Sequence, residues 1–470
     1  MESPSARPET LVFDQSMDPS TNLDIPLELF GQADSLSIIT PFVYIFALPN
    51  PDVAHLTSVI GAGLERLTDT FPWVAGRITN TGRTSESSGI FKITPHKAIP
   101  ELTVRDWRDD TRVPTMDHLG KAGIPCSMIK EEFFAPVHVN TTPGFELEDR
   151  SPILQLQLSI IIGGVVFSLM ANHQALDGIA QDQIACLLDK ACNNIPYTAE
   201  EVRTGNLRRE TIVKPFDSAW QPGVGEANFQ IPETTITKAD MSKPYVEHRW
   251  THICFSPTAL KALKSDVSRS LGSGFVSTDD ALTALIWQSV SRARSVRLPA
   301  SASTTISRAV NPRKYLDIPA TYPGYVNSNA CSSGSIDCIT RCSLASIALE
   351  LRTKVDPLTS GLRDSTRGVA TMLYRAKDRN TVPVHGSVDS NSDIMLSSWA
   401  NMRGYDFDFG LGLGKPTHFR RMDHQRIPSL AFLLPRRPDG EIILSICLRI
   451  DDIALLRLDS TFTTYGRFIM

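Results

Sequence analysis

Residues 154–178 read LQLQLSIIIGGVVFSLMANHQALDG, and this stretch decides the predicted fold. From Leu154 to Ile160 apolar residues alternate with polar ones, which predicts a half-buried β-strand. Gly163-Gly164 fits a tight hairpin turn, and Val165 to Met170 form an apolar run typical of an inner strand. A helix is predicted after Gly178, because four apolar residues share one of its faces: Ile184, Leu187, Leu188 and Ala191.

The connection between the second strand and the helix holds His173, with Asp177 four residues later and Gly178 next. A strand end holds a side chain rigidly where a substrate can reach it. The ordinary histidine pKa of about 6.5 leaves the ring mostly neutral at pH 7, with one nitrogen free to accept a proton. An alcohol is a poor nucleophile until it loses its proton, so a positioned histidine contributes roughly 10²–10⁴-fold as a general base. We expect Asp177 to brace the loop and Gly178 to permit a tight entry into the helix.

The same spacing recurs at His385 and Asp389, in a polar stretch typical of a loop. A histidine with an aspartate four residues later is therefore a weak motif by itself. The structural alternative for His173 is a buried core histidine without a chemical role. The strand before His173 and the helix after it favour the functional interpretation, and His385 has no such frame.

Other chemical motifs are poorer matches. The chain has no Gly-x-Ser-x-Gly elbow, which argues against an α/β-hydrolase. Residues 410–415 (GLGLGK) look like a phosphate loop, but Pro416 stands where such a loop needs Ser or Thr. His248 and His252 lack the neighbouring Glu of a zinc protease and are interpreted as structural.

The composition is that of an ordinary globular protein, with 41% hydrophobic and 21% charged residues among 470. A net charge of -4 does not favour a nucleic-acid partner. The start of the chain, Met1 to Thr10, lacks the apolar core of a signal peptide. The longest apolar run, Ile160 to Ala171, is too short to cross a bilayer. We therefore expect a cytoplasmic protein without a membrane partner.

The eight cysteines are scattered, and we interpret them as buried free thiols. Cys338 and Cys342 form the closest pair, but no second pair at similar spacing completes a zinc site. No metal site is therefore predicted.

The chain is long enough for two lobes, and its middle supports that division. Residues 196–245 are rich in proline and hold few periodic apolar positions, which is typical of a long crossover. We predict an N-terminal lobe over 1–195, a crossover linker over 196–245 and a C-terminal lobe over 246–470. The predicted class is α/β (α+β), with mixed sheets flanked by helices.

Several segments together resemble the BAHD acyltransferases, a plant and fungal family of coenzyme-A-dependent enzymes. The similarity is strongest to its fungal branch, which includes the trichothecene 3-O-acetyltransferases. The segments follow the family's order along most of the chain: 71–78 (FPWVAGRI), 173–178 (HQALDG), 277–294 (from STDD to RAR), 311–327 (NPR to YPGYVN) and 397–412 (SSW to DFGLG).

The resemblance implies two similar lobes, as in chloramphenicol acetyltransferase, with a channel between them. It places His173 midway along the channel, with coenzyme A entering from one face and the acceptor from the other. It also implies that Asp177 pairs with Arg313 in a structural role. Asp408 and Gly410, in the segment similar to the family's DFGWG motif, are likewise implied to support the structure.

Two positions bear on the subfamily. Leu411 stands where the family's second motif has Trp, which is expected to change local packing and leave the reaction intact. Asn172 stands where the related condensation domains of peptide synthetases have a second His. This difference argues for a free-standing acyltransferase.

The expected reaction is transfer of an acyl group, most simply acetyl, from acyl-CoA to a hydroxyl of a small secondary metabolite. Acyl-CoA is a co-substrate, no cofactor is permanently bound, and a monomer is expected from the family. Trp399 or Ser398 could donate hydrogen bonds to the oxyanion of the tetrahedral intermediate. The coenzyme A phosphates need cations or amides. The candidates for this role are Ser277, Thr278, Lys415, Arg420 and Arg421.

Two alternatives stay open at this stage. One is condensation-type amide or ester formation from a carrier-bound thioester. The other is a binding protein that kept the fold and lost catalysis. Activity with free acyl-CoA would discount the first, and the presence of His173, Asp177 and Arg313 argues against the second.

Overall fold

A computed structural model of the chain describes residues 23–136, 151–223, 229, 246–423 and 426–469. Three β-sheets with helices packed against them confirm the predicted class. The α-helices in these residues are α1 Val53–Thr70, α2 Met116–Ala122, α3 Glu131–Phe134, α4 Gly178–Cys192, α5 Ala199–Gly205, α6 Pro257–Arg269, α7 Thr278–Arg294, α8 Ile336–Arg341, α9 Leu344–Thr353, α10 Leu362–Arg375, α11 Ile450–Leu458 and α12 Ser460–Tyr465.

The sixteen strands of the described residues form sheets of four, seven and five strands. They are β1 Ile25–Pro26, β2 Ile39–Ala47, β3 Arg77–Thr81, β4 Ile90–Thr94, β5 Glu101–Asp106, β6 Ser151–Pro152, β7 Leu154–Ile161, β8 Gly164–Asn172, β9 His248–Phe255, β10 Ser303–Val310, β11 Ser328–Ser335, β12 Ile394–Ser398, β13 His418–Arg420, β14 Leu430–Leu433, β15 Ile442–Arg449 and β16 Gly466–Ile469.

The five-stranded sheet has the order β13-β2-β8-β7-β5, with β5 parallel to β7 and the other pairs antiparallel. The predicted hairpin is present, and its turn residue Gly163 has a φ of +83°, which favours glycine. The expectation of a half-buried first strand was wrong, because every residue of β7 is buried. Residues around α3 cover the polar side of β7, where Gln157 Nε2 donates to the Phe133 carbonyl at 2.6 Å.

The seven-stranded sheet has the order β11-β10-β12-β14-β15-β9-β16. Its centre is parallel, β10 with β12 and β12 with β14, and its outer pairs are antiparallel. Helices α6, α7, α9, α11 and α12 contribute to one apolar core with this sheet. The remaining sheet, β1-β4-β3-β6, is small and lies wholly within the first half of the chain.

The two lobes do not divide at the predicted chain position. Strand β13, from the second half, pairs with β2 and completes the first lobe's sheet. Phe409 and Phe419 also pack against Tyr44, inside the first core. The segment from Trp399 to Arg420 therefore belongs structurally with the first lobe, because its aromatic side chains find their apolar surroundings there.

The predicted crossover linker is partly structured. Its described portion holds α5, with a capping box between Thr198 and Glu201. Arg209, a few residues further on, is buried and bound to residues of the first lobe. The rest of the predicted linker, 224–228 and 230–245, lies outside the described residues.

Asp280 is the main buried charge at the start of α7. Its carboxylate accepts from the Ser277 N–H while the Ser277 hydroxyl oxygen accepts from the Asp280 N–H, and these two bonds form a capping box. The carboxylate also pairs with Arg308 and Arg352. The Asp280 side chain is 1% exposed. Removing one partner of a buried pair leaves the other charge uncompensated, which is costly.

Asp280→Asn should therefore lower the free energy of unfolding by about 3–5 kcal/mol. Urea-induced unfolding measures the loss. Asp117→Asn is the matched control, because Asp117 forms an exposed ion pair with Lys121 on α2 and should change stability little. Equal losses in the two variants would contradict the assignment of Asp280 as a structural anchor.

Candidate active site

The β7–β8 hairpin places His173 directly after the end of β8, the central strand of the first lobe's five-stranded sheet. Strand β8 ends at Asn172, and the backbone N–H of His173 still donates to the Ile38 carbonyl at 2.8 Å. The Asn172 side chain accepts from the Gln174 N–H at 2.9 Å, which helps turn the chain away from the sheet. Hydrogen bonds to its own backbone and to the next turn therefore fix where the imidazole lies.

The imidazole of His173 is held in one tautomer. Its Nδ1 lies 3.0 Å from the Leu176 carbonyl oxygen, which can only accept, so Nδ1 carries the proton. Nε2 is then the nitrogen with a free lone pair. The ring of Tyr325 packs edge-on with centroids 5.3 Å apart. Burial lowers the pKa of His173, the Leu176 bond and the charge of Asp177 oppose this, and Arg421 lowers it further. The ring is a neutral base at pH 7.

Asp177 supports the loop and does not orient the imidazole. Its Oδ1 accepts from the Ala180 N–H at 2.7 Å and so caps α4. Its Oδ2 accepts from Arg313 Nη2 at 2.9 Å and from the Val326 N–H at 2.7 Å. The expected ion pair is therefore present, and it joins the His173 loop to a segment of the second half of the chain. The Arg313 guanidinium is 1% exposed and also donates to the Gly324 carbonyl at 2.7 Å.

Gly178 is required for space and not for an unusual backbone angle. A Cβ at this position would lie 2.9 Å from Met402 Cε and 3.2 Å from Trp399 Nε1. Its φ is not among the positive values, so its small size, and not a left-handed backbone, is what permits the tight entry into the helix. The small residue lets the first turn of α4 approach Trp399.

The end of β12 brings Trp399, one of the two candidate oxyanion donors, next to this helix. Trp399 Nε1 donates to Ser397 Oγ at 3.1 Å. Ser398, the other candidate, instead donates to Asp279 Oδ2 at 2.5 Å at the start of α7. Side chains alternate across a strand, so residues 397 and 399 share a side and 398 faces away. Sequence reasoning missed Ser397, although this alternation could have indicated it.

Arg421 and Arg420 face different surroundings. The Arg421 guanidinium lies 3.8 Å from the ring centre of Phe432 and 5.5 Å from that of Trp399. Burial lowers its pKa to about 9, and its charge acts on His173. The Arg420 guanidinium is buried and donates to the carbonyls of Ile124, Phe419 and Gly123. Its donors are occupied by the protein, which argues against the predicted contact with coenzyme A.

His385, interpreted from the sequence as a histidine without a structural frame, lies in a loop as expected. Burial and then the charge of His173 lower its pKa to about 4. The charge of His173 therefore acts on the second histidine, which the position of His385 in the sequence did not indicate. Its backbone carbonyl accepts from Ser307 Oγ at 2.8 Å.

The other three residues predicted to bind coenzyme A do not form one site in the structure. Ser277 caps α7, and its hydroxyl is bound to Asp280. Thr278 lines an open pocket of about 430 Å³, together with Pro257, Leu260, Lys261, Lys264, Ser265, Ser268, Arg436 and Gly440. Lys415 is exposed elsewhere and lies 3.9 Å from Asp406. Sequence reasoning missed the cations of this pocket, because Lys261 and Lys264 look like ordinary surface residues of α6.

The segment 408–412 holds the far end of α4. Asp408 Oδ1 accepts from Asn193 Nδ2 at 2.8 Å and from the Gly410 N–H at 2.9 Å. Gly410 has a φ of +61°, and a Cβ there would lie 2.9 Å from the Cys192 carbonyl oxygen. Leu411, which replaces the family's Trp, is buried in the first core. The geometry agrees with the structural role implied for Asp408 and Gly410.

No group of three or more metal-ligating side chains occurs among the described residues. All eight cysteines are free, and Cys338 Sγ lies 3.5 Å from Cys342 Sγ. The expectation that all of them are buried was wrong, because Cys338 is exposed. None of the helices described is long and apolar enough to span a bilayer.

Comparison with known proteins agrees with the fold. The Trichothecene 3-O-acetyltransferase-like N-terminal domain matches residues 38–192, and the Transferase family matches residues 130–462. The chain therefore belongs to the Transferase family, and its class is that of the acyl-CoA:alcohol O-acyltransferases.

The similar proteins are fungal acetyltransferases. An O-acetyltransferase from Cryptosporiopsis sp. is 39% identical over 95% of this chain and 98% of its own. The trichothecene 3-O-acetyltransferase TRI101 of Fusarium sporotrichioides is 37% identical over 96% of this chain and 98% of its own. The crystal structure of that enzyme complexed with coenzyme A and T-2 superposes with a TM-score of 0.87, covering 95% of this chain and 100% of the other. The predicted resemblance and fold are confirmed.

The state of His173 predicts the pH dependence of turnover. The base form is the neutral imidazole, and burial lowers its pKa from 6.5. We expect kcat/KM to fall at acid pH with a midpoint below pH 6.5, as His173 becomes protonated. The measurement is kcat/KM between about pH 4.5 and 8, with circular dichroism to exclude unfolding. An apparent pKa above 6.5 on the acidic limb would contradict this assignment.

Proposed function

We propose that this protein transfers the acetyl group of acetyl-CoA to a hydroxyl of a small fungal secondary metabolite, with His173 as the general base. The observation that carries the proposal is the tautomer of His173, whose Nδ1 proton is bound to the Leu176 carbonyl and whose Nε2 is free to accept. The names of the similar enzymes support acetyl as the group transferred and a secondary metabolite as the acceptor. Action as a monomer in the cytoplasm stays a prediction from the sequence.

The transfer is direct and needs no covalent enzyme intermediate. Nε2 of His173 takes the hydroxyl proton, and the acceptor oxygen attacks the thioester carbonyl carbon. The resulting oxyanion accepts a hydrogen bond from the Ser397 hydroxyl, whose oxygen in turn accepts from Trp399 Nε1. As the carbon–sulfur bond breaks, the imidazolium returns its proton to the departing thiolate. Ser398 is left out because its hydroxyl is bound to Asp279.

The pocket beside the start of α7 suits the phosphates of coenzyme A. Lys261, Lys264 and Arg436 supply cations, and Thr278 supplies a hydroxyl and a helix N-terminal amide. The wall is partly apolar, with Pro257 and Leu260. Of the residues first considered for this role, we retain Thr278 and replace Arg420 and Arg421 by these cations.

His173→Ala should reduce thiol release from acetyl-CoA by roughly 10²–10⁴-fold in the presence of an acceptor. A panel of acyl-CoAs and hydroxylated metabolites identifies the donor and acceptor. His118→Ala is the matched control, since His118 is exposed on α2 and should leave turnover unchanged. Full activity of His173→Ala would reject the general base. Turnover with a carrier-bound thioester alone would favour the condensation alternative.

Lys264→Ala should raise KM for acetyl-CoA by about 10-fold or more, because a hydrogen bond to a charged group contributes about 1.5–3 kcal/mol. Lys415→Ala should leave KM unchanged, since that lysine lies outside the pocket. An acetyl thioester of N-acetylcysteamine has no phosphates, so Lys264→Ala should not alter its use. A KM effect of Lys415→Ala without one of Lys264→Ala would move the phosphate site to residues 410–415.

A further inference from the structure

Glu28 is a fully buried carboxylate beside the proposed active site, and its exposed fraction is 0%. Three donors satisfy it. Arg209 Nη1 donates to Oε1 at 3.0 Å, the Tyr322 hydroxyl donates at 2.5 Å, and the Tyr325 N–H donates at 3.0 Å. A buried carboxylate is costly to desolvate, so a set of donors that satisfies it fixes its neighbours closely.

Arg209 connects this carboxylate to the loop that carries the base. Its Nη1 also donates to the Ala175 carbonyl at 3.0 Å, two residues after His173. Its guanidinium lies over the ring of Trp73, 4.2 Å from the centroid, which limits its movement. The Arg209 side chain is 4% exposed, so water does not compete for its donors.

Glu28 and Asp177 both bind the backbone of segment 322–326. Glu28 accepts from the N–H of Tyr325, and Asp177 accepts from the next N–H, that of Val326. Each carboxylate also has its own arginine, Arg209 and Arg313 respectively. The two ion pairs therefore hold segment 322–326 and loop 173–177 against each other.

Gly324, within the same segment, shows how close this packing is. A Cβ there would overlap Glu28 Oε1 and the Tyr322 hydroxyl oxygen. The next residue, Tyr325, packs its ring against the imidazole of His173. A shift of Glu28 would consequently move both the ring beside the base and, through Arg209, the backbone that follows it.

We propose that Glu28 and Arg209 are positioning residues for His173, acting as a second ion pair that complements Asp177 and Arg313. The role concerns the acetyl transfer proposed above and rests on it. Neither residue touches the reacting atoms. Arg209 fixes the Ala175 carbonyl, and Glu28 fixes the backbone of Tyr325 and so the position of its ring. Together these contacts determine the direction in which His173 Nε2 points. A displacement of about 1 Å far from the reacting groups costs on the order of 10²-fold in rate.

The test compares Glu28→Gln with Asp452→Asn. Asp452 is an equally buried carboxylate, paired with Arg294 and Arg297, and none of its partners contacts the His173 loop. Both variants should lose stability in thermal unfolding. Only Glu28→Gln should lower kcat, by about 10-fold or more, with KM for acetyl-CoA changed less than about two-fold. Equal kcat in the two variants would overturn the proposal.

A second readout does not depend on turnover. Diethylpyrocarbonate modifies neutral imidazoles, and mass spectrometry of the His173 peptide gives its rate of modification against pH. In Glu28→Gln the rate of His173 modification should increase, because the loosened loop exposes the imidazole, whereas Asp452→Asn should match the wild type. An unchanged profile would reject the positioning role. If the wild type transferred no acetyl group, the proposed function would fail, and this arm would still decide the role of Glu28.

If Glu28→Gln does not fold, Tyr322→Phe is the variant to test. It removes one hydrogen-bond donor to Glu28 and leaves the Glu28–Arg209 ion pair intact. We expect a smaller loss of kcat, of about three-fold or more, in the same direction, with the same change of the modification profile. Wild-type kcat and modification in Tyr322→Phe, together with an unfolded Glu28→Gln, would assign Glu28 to folding alone and overturn the proposal.

Discussion

The buried ion pair of Asp177 and Arg313 joins the two halves of the chain at the reacting histidine. Each charge loses several kcal/mol of hydration on burial, and their attraction offsets this only when the remaining hydrogen-bonding groups are also satisfied. Here they are, since the carboxylate caps α4 and binds the Val326 N–H, and the guanidinium binds the Gly324 carbonyl. Separating the lobes would leave a charge unpaired on each side, so the pair permits one arrangement of the lobes.

Because the Asp177 carboxylate is bound to Arg313 and to two backbone N–H groups, it does not pair with His173, and the imidazole stays uncharged. His173 Nδ1 meets a carbonyl and not a carboxylate, so the imidazolium formed during transfer gains limited stabilisation. Burial and Arg421 also disfavour it. A base of lowered pKa is weaker, but its conjugate acid is a stronger acid. Because an ordinary thiol has a pKa of about 8.5, the imidazolium readily protonates the departing thiolate.

Local periodicity was enough to predict the hairpin and α4, since each has a repeating apolar pattern and a clear cap or turn. It was misleading for β7, because Gln157 is polar yet buried by a contact 24 residues away in sequence. The resemblance to a known family indicated Arg313. Glu28 and Arg209 carried no such signal, since Glu28 lies in an irregular segment, Arg209 begins a 3₁₀ helix of three residues, and the two meet only in the folded chain. The alternation of side chains along a strand could have shown that Ser397 and Ser398 face opposite sides of β12.

Helix α4 links the two sequence motifs physically. Asp177 caps its first turn, and Asp408 binds Asn193 directly after its last residue. Asp189, in the last turn, also accepts from the Phe409 N–H at 2.7 Å. The helix has 15 residues and so spans about 22 Å, which places the second motif far from the reaction. A rigid helix held at its far end keeps its first turn in place, so segment 408–412 contributes to the geometry of His173 without approaching it.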